Sequence, residues 1–139
     1  MKRSELNIIN NAIIGLINDK IEINGSICGL PLKFEVRKKA HSILRKITDT
    51  VEISDKTYKE MHKEILEKYK ISEGTTEIKK DIHPDAYGEL INLQKQVNDE
   101  DFDIDFSGLE FTDKDFQTSN GKDLDIGANI SPILEYLYK

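Results

Sequence analysis

Apolar positions along this chain recur at two different periods, and the change from one to the other divides it. Leu6, Ile9, Ile13 and Leu16, with Ile17 beside them, follow at steps of three and four, the spacing of one helical face. Ile8, Ala12 and Ile14 widen that face past half the circumference. A helix this apolar must be covered, by the rest of the chain or by a partner. Ser4 followed by Glu5 supplies a start signal, and Asn18-Asp19 a stop. Ile21-Glu22-Ile23 then alternates like a short strand, with Asn24-Gly25 as a turn signal.

Pro31 is suited to open the next helix. Leu32, Val36, Ala40, Ile43, Leu44, Ile47 and Val51 mark its face, and Tyr58, Met61, Ile65 and Tyr69 continue the same spacing. Two arrangements compete: one rod over 32–70, nearly 60 Å long, or a second helix capped by Ser54 or Asp55. The rod is preferred, because no Gly or Pro interrupts it. Gly74 and Thr75-Thr76 indicate a loop or small hairpin. Pro84-Asp85 starts another helix, with Ala86, Tyr87, Leu90, Leu93 and Val97 on one side, of a length to form the second arm of an antiparallel hairpin.

Beyond it the period falls to two. Phe102, Ile104 and Phe106 alternate with Asp101, Asp103 and Asp105, as in a half-buried strand. Leu109, Phe111 and Phe116 follow in shorter pieces, and Ser119-Asn120-Gly121-Lys122 is a turn or loop. Ser131-Pro132 opens a short terminal helix anchored by Ile133, Leu134 and Leu137, with Tyr136 or Tyr138. The expected fold is α+β and helix-dominated, in one domain. Residues 1–30 form the N-terminal helix and a β/turn link, 31–98 a long helical hairpin, and 99–139 an acidic segment with a small β element near 102–111 and the terminal helix.

Composition agrees with solvated helices. The chain has 139 residues, of which 37% are apolar and 33% charged, a shift from the globular average toward a large charged surface. Cys28 is the only cysteine, so an intrachain disulfide and a Cys-based zinc site are both excluded. Burial as a small hydrophobe is its expected role. Lys2 and Arg3 ahead of an apolar run imitate a secretion signal, but Asn7, Asn10 and Asn11 interrupt it and no small-residue cleavage site follows. No stretch reaches the length of a membrane span, and a cytoplasmic setting is expected. Charge is unevenly placed. Residues 1–80 hold 16 Lys/Arg against 12 Asp/Glu, and residues 81–139 hold 4 against 14. The halves therefore fold against each other, or one presents a charged face to a partner.

No reaction centre is legible. An EF-hand loop begun at Asp99 or Asp101 would need glycine at its sixth position, where Ile104 or Phe106 stands. His41 and His62, 21 residues apart, would lie about 31 Å from each other on one unbroken helix. His83 sits at a helix entrance, and the eight glycines are dispersed, leaving no phosphate loop. No catalytic residue, metal ligand or cofactor is assigned. On a strand, Asp99, Asp101, Asp103 and Asp105 would share one face about 6.5–7 Å apart, roughly the phosphate interval of a nucleic acid. Mimicry of nucleic acid is thus an alternative, and metal-dependent hydrolysis a more distant one. Arg37, Lys38, Lys39, Arg45 and Lys46 form a basic cluster. With no aromatic residue interleaved and a pI of about 5.1, a solvated face paired to the acidic half is expected ahead of nucleic-acid binding.

The order of LRKI at 44–47, LEKY at 66–69, ELINLQKQV at 89–97 and SPILEYLY at 131–138 resembles small proteins of unknown function encoded by tailed bacteriophages, in which a helical hairpin precedes a short β segment. The resemblance spans about 100 residues and transfers no functional residue. It implies a phage or mobile-element accessory protein, acting in the host cytoplasm or within the virion. The function expected is non-enzymatic: protein–protein contact as an assembly or virion component, or modulation of a host protein. Candidate contact residues are Ile9, Ile13 and Leu16 on the first helix, Tyr58 and Met61 on the rod, and the acids Asp99, Asp101, Asp103 and Asp105. Self-association through the rod's seam is a corollary, and neither a nucleic acid nor a membrane is an expected partner.

Overall fold

A computed structural model describes residues 1–18, 20–23, 26–29, 32–72, 77–118, 120–124 and 131–139, with the backbone alone for 20–23 and 26–29. The elements are α1 (Arg3–Asn18), β1 (Lys20–Ile23), β2 (Ser26–Gly29), α2 (Phe34–Lys68), α3 (Pro84–Asp99), a 3-10 turn (Asp113–Phe116) and α4 (Ser131–Tyr136). The protein is helix-dominated. β1 and β2 pair antiparallel, with Lys20 opposite Gly29 and Ile23 opposite Ser26. Expectations for Asp19, Asn24-Gly25, the Cys28 side chain, Pro31, Gly74, Thr75-Thr76 and Ser119 fall outside the described residues.

The rod is unbroken: α2 runs 35 residues through Ser54 and Asp55. Neither residue caps a helix. Ser54 donates to Glu100 Oε2 at 2.6 Å, and Asp55 accepts from Arg3 at 2.5 Å. Two compact units divide the chain, and α2 contributes to both. One comprises Met1–Ser4 and Thr50–Phe102, the other Glu5–Asp49 and Asp103–Lys139.

In the first unit, Leu66, Ile71, Ile78, Ala86 and Leu90 form a buried cluster, with Ile65, Tyr69 and Tyr87 packed against it. α2 ends at its edge by a Schellman motif. Lys70 takes the left-handed conformation at φ 54, Ile71 N–H donates to Leu66 O at 2.8 Å, and Lys70 N–H to Glu67 O at 3.2 Å. Proline at the first turn opens α3, where its missing N–H leaves no donor orphaned. The chain leaving α3 meets residues 1–3 in an isolated bridge, Lys2 opposite Asp101, with Phe102 N–H donating to Met1 O at 2.8 Å.

The second unit buries Leu6, Ile9, Ala12, Ile13 and Leu16 of α1, Val36, Ala40, Ile43 and Ile47 of α2, and Phe106, Phe111, Phe116, Ile133 and Leu137. Phe111 and Phe116 stack with centroids 5.5 Å apart. Phe111 also makes an isolated parallel bridge to Tyr138, donating N–H to Leu137 O at 2.6 Å and accepting from Lys139 N–H at 2.9 Å. Of the expected C-terminal anchors, Leu134 is exposed.

One expectation is corrected. Among the described residues no strand forms near 102–111. The burial pattern does alternate: Phe106 is buried, Phe102 and Ile104 half-buried, and Asp101, Asp103 and Asp105 exposed. A strand, however, needs a neighbour along its length for its N–H and C=O groups, and among the described residues this segment makes only isolated bridges, Asp101 to Lys2 and Phe111 to Tyr138. Instead the chain turns at Ser107 and Gly108, where Leu109 N–H returns to Phe106 O at 2.9 Å and Gly108 adopts φ 81.

Candidate functional site

The expected contact residues separate into three groups. Ile9, Ile13 and Leu16 have no exposed surface. They are core residues, so the broad apolar face of α1 is covered by this chain and is not a free docking surface. The excess apolar positions Ile8 and Ile14 are the ones left exposed.

Nor do the four aspartates lie on one strand. Asp99 is the last residue of α3, Asp101 lies 4.0 Å from the N-terminal ammonium, and Asp103 and Asp105 follow in irregular chain. Asp105 accepts the Ser107 hydroxyl at 2.6 Å and the Ser107 N–H at 2.9 Å. These bonds, hydroxyl first, hold its carboxyl below the usual range, with Lys46 adding a weaker pull. Asp99 is thus helical and the other three lie outside any named strand, so the four do not share one. Among the described residues, no three His, Cys, Asp or Glu side chains are grouped to hold a metal ion. No helix among them is long and apolar enough to cross a membrane.

Tyr58 and Met61 do share a surface. In the first unit a groove lies between the second half of α2 and α3. Its one end is lined by Ile53, Thr57, Tyr58, Met61, Leu93, Val97, Glu100 and Phe102. Its other end is lined by Met61, Glu64, Ile65, Lys68, Glu89, Asn92 and Leu93. The two depressions, about 340 and 330 Å³, share Met61, Leu93 and Gln96. Between Thr50 and Lys68 the groove follows α2 for about 27 Å. Tyr58 stands beside His62, ring centroids 5.9 Å apart, and accepts from Gln94 at 3.5 Å. Ile53 is 80% exposed and Met61 41%.

The rim is charged. Lys68 donates to Glu89 Oε1 at 2.8 Å. That ammonium, and after it the Tyr69 hydroxyl, hold the Glu89 carboxyl below its ordinary range, while Glu89 raises Lys68 in return. Glu64 and Glu100 add carboxylates to the lining.

Ile53 was not apparent from the seam, since it stands two positions past buried Val51 and so on another side of the helix. Counting by fours from Ile53 through Thr57 to Met61 would have found it. His41 lies on the first half of α2, His62 on the second, and His83 precedes α3 with no side-chain cap. No known protein family, curated protein or solved structure matches this chain.

Proposed function

We propose that this protein works by contact with another protein, received in the groove between the second half of α2 and α3. Ile53 carries the reading. An isoleucine so fully in water forgoes roughly 1.5–3 kcal/mol that burial would contribute, and it stands with Met61 and Leu93 in one elongated depression. A groove of about five helical turns suits an amphipathic helix laid along it, with anchors at steps of three, four and seven. Glu64, Glu89 and Glu100 against Lys68 leave the lining net acidic, which favours a partner helix flanked by Lys or Arg. The resemblance to tailed-phage proteins supplies the setting: an assembly or virion component, or a modulator of a host protein, in the host cytoplasm or the particle. A second copy of the chain is one such partner.

Ile53→Asp is the test, because it changes the groove without touching the buried cluster. Wild type and variant are compared by sedimentation velocity to high micromolar concentration, and by capture from host lysate and virions. The wild type is expected to associate, with itself or with a captured protein, and Ile53→Asp to lose that association. A monomeric wild type that captures the same proteins as the variant sinks the reading.

A further inference from the structure

The fold divides the basic cluster of α2. Lys39 turns to the Asp115 carboxylate and the Glu110 carbonyl, each at 2.9 Å. Phe34, Arg37, Lys38, His41 and Arg45 instead line a shallow depression of about 550 Å³ on one side of the helix. Steps of three and four residues put them there. Phe34 heads this stripe and is 75% exposed. The lining is mostly apolar atoms, as expected where long cationic side chains lay their stems on the surface and hold their charges at the rim.

We infer that this stripe binds single-stranded nucleic acid, a base stacking on Phe34 and phosphates meeting Lys38 and Arg45. The aromatic ring that the linear basic cluster lacked is present, one helical turn ahead of Arg37 and Lys38. Every base has a face that stacks on such a ring, so no sequence preference is needed. An acidic polypeptide fits less well. It would pair its carboxylates with the cations and leave the exposed Phe34 ring without a stacking partner.

The chain's net charge of −6 opposes any polyanion. At physiological salt that field is screened over about 8 Å, so the local charges decide. The flanking acids are Glu35, one position from Phe34, and Asp49, 3.7 Å from Arg45. Modest, strongly salt-dependent affinity follows. The surface lies in the second unit and shares no lining residue with the groove.

Fluorescence anisotropy with a labelled thymidine oligonucleotide tests it, with labelled polyglutamate of equal length in parallel. Saturable binding of the oligonucleotide to the full chain is expected in about 50 mM NaCl, weakening about seven-fold by about 200 mM, the counterion-release slope of two phosphate contacts. Phe34→Ala should weaken binding at least about five-fold, and the double variant Lys38→Glu, Arg45→Glu should abolish it. These three positions are exposed, and circular dichroism confirms that each variant stays folded. No saturation at the lower salt, or undiminished binding by folded Phe34→Ala, overturns the inference. Polyglutamate binding as tightly as the oligonucleotide overturns it too, and reassigns the stripe to acidic polypeptides.

Discussion

Lys39, in the second turn of α2, holds its ammonium 2.9 Å from the Asp115 carboxylate, 76 residues further along the chain. The same ammonium donates to Glu110 O at 2.9 Å and lies 5.4 Å from the Phe111 ring centroid. Asp115 in turn accepts Thr112 N–H at 2.8 Å at the start of the 3-10 turn. The side chains are 22% and 16% exposed, so the pair is worth more than a surface ion pair. Asp115→Ala removes the acceptor of Thr112 N–H and leaves the Lys39 ammonium with Glu110 O, and should cost about 1–3 kcal/mol. Asp115→Asn, which still accepts, should cost less. Urea midpoints followed by circular dichroism decide, and equal midpoints for wild type and Asp115→Ala would refute the role.

Lys70 is the described non-glycine residue with positive φ. Its side chain opposes the left-handed conformation that the end of α2 requires, while Leu66 and Ile71 close the motif by packing in one cluster. Lys70→Gly should therefore stabilise the protein by about 0.5–1 kcal/mol, and Lys70→Val should destabilise it. Thermal melts of the two variants should move in opposite directions. A shared direction would contradict the geometry.

The Lys68–Glu89 pair sets a pH dependence whose sign follows from the shifts. Glu89 is depressed in the folded chain, chiefly by Lys68. Its contribution is complete above the unfolded value of about 4.3 and disappears as pH falls through the lower folded value. Lys68 is raised, so its share persists below about 10.4 and is lost as pH rises through the higher folded value. Glu89→Gln should be less stable than wild type near neutrality, with the gap closing toward pH 3. A gap of constant size across that range would exclude this origin.

Burial of α1 gives the plainest contrast. Ile13 is fully buried and Ile8 is 46% exposed. Ile13→Ala should cost about 2–5 kcal/mol, whereas Ile8→Ala should stay within about 0.5 kcal/mol. Comparable losses from both would place the apolar face differently.

Much of this arrangement is legible in the spacing of side chains. Leu32 to Val51 names the buried side of the first half of α2, and Pro84-Asp85 the start of α3. The absence of Gly and Pro over 32–70 carries the unbroken helix. These follow from local geometry: a helix satisfies its own backbone, so period and propensity suffice. The acidic segment shows where that reasoning stops. Alternation tells which side of Phe102, Ile104 and Phe106 turns inward, but strand formation depends on a neighbour that alternation cannot supply.

The candidate surfaces show the same boundary from the other side. Apolarity nominated Ile9, Ile13 and Leu16 for a partner, and they are core; the same criterion passed over Ile53 and Phe34, which are exposed. Periodicity by itself determined which residues share a face of each helix. Whether that face meets solvent or another segment was decided by tertiary structure alone, because burial is a property of what lies opposite, and what lies opposite Lys39 is residue 115.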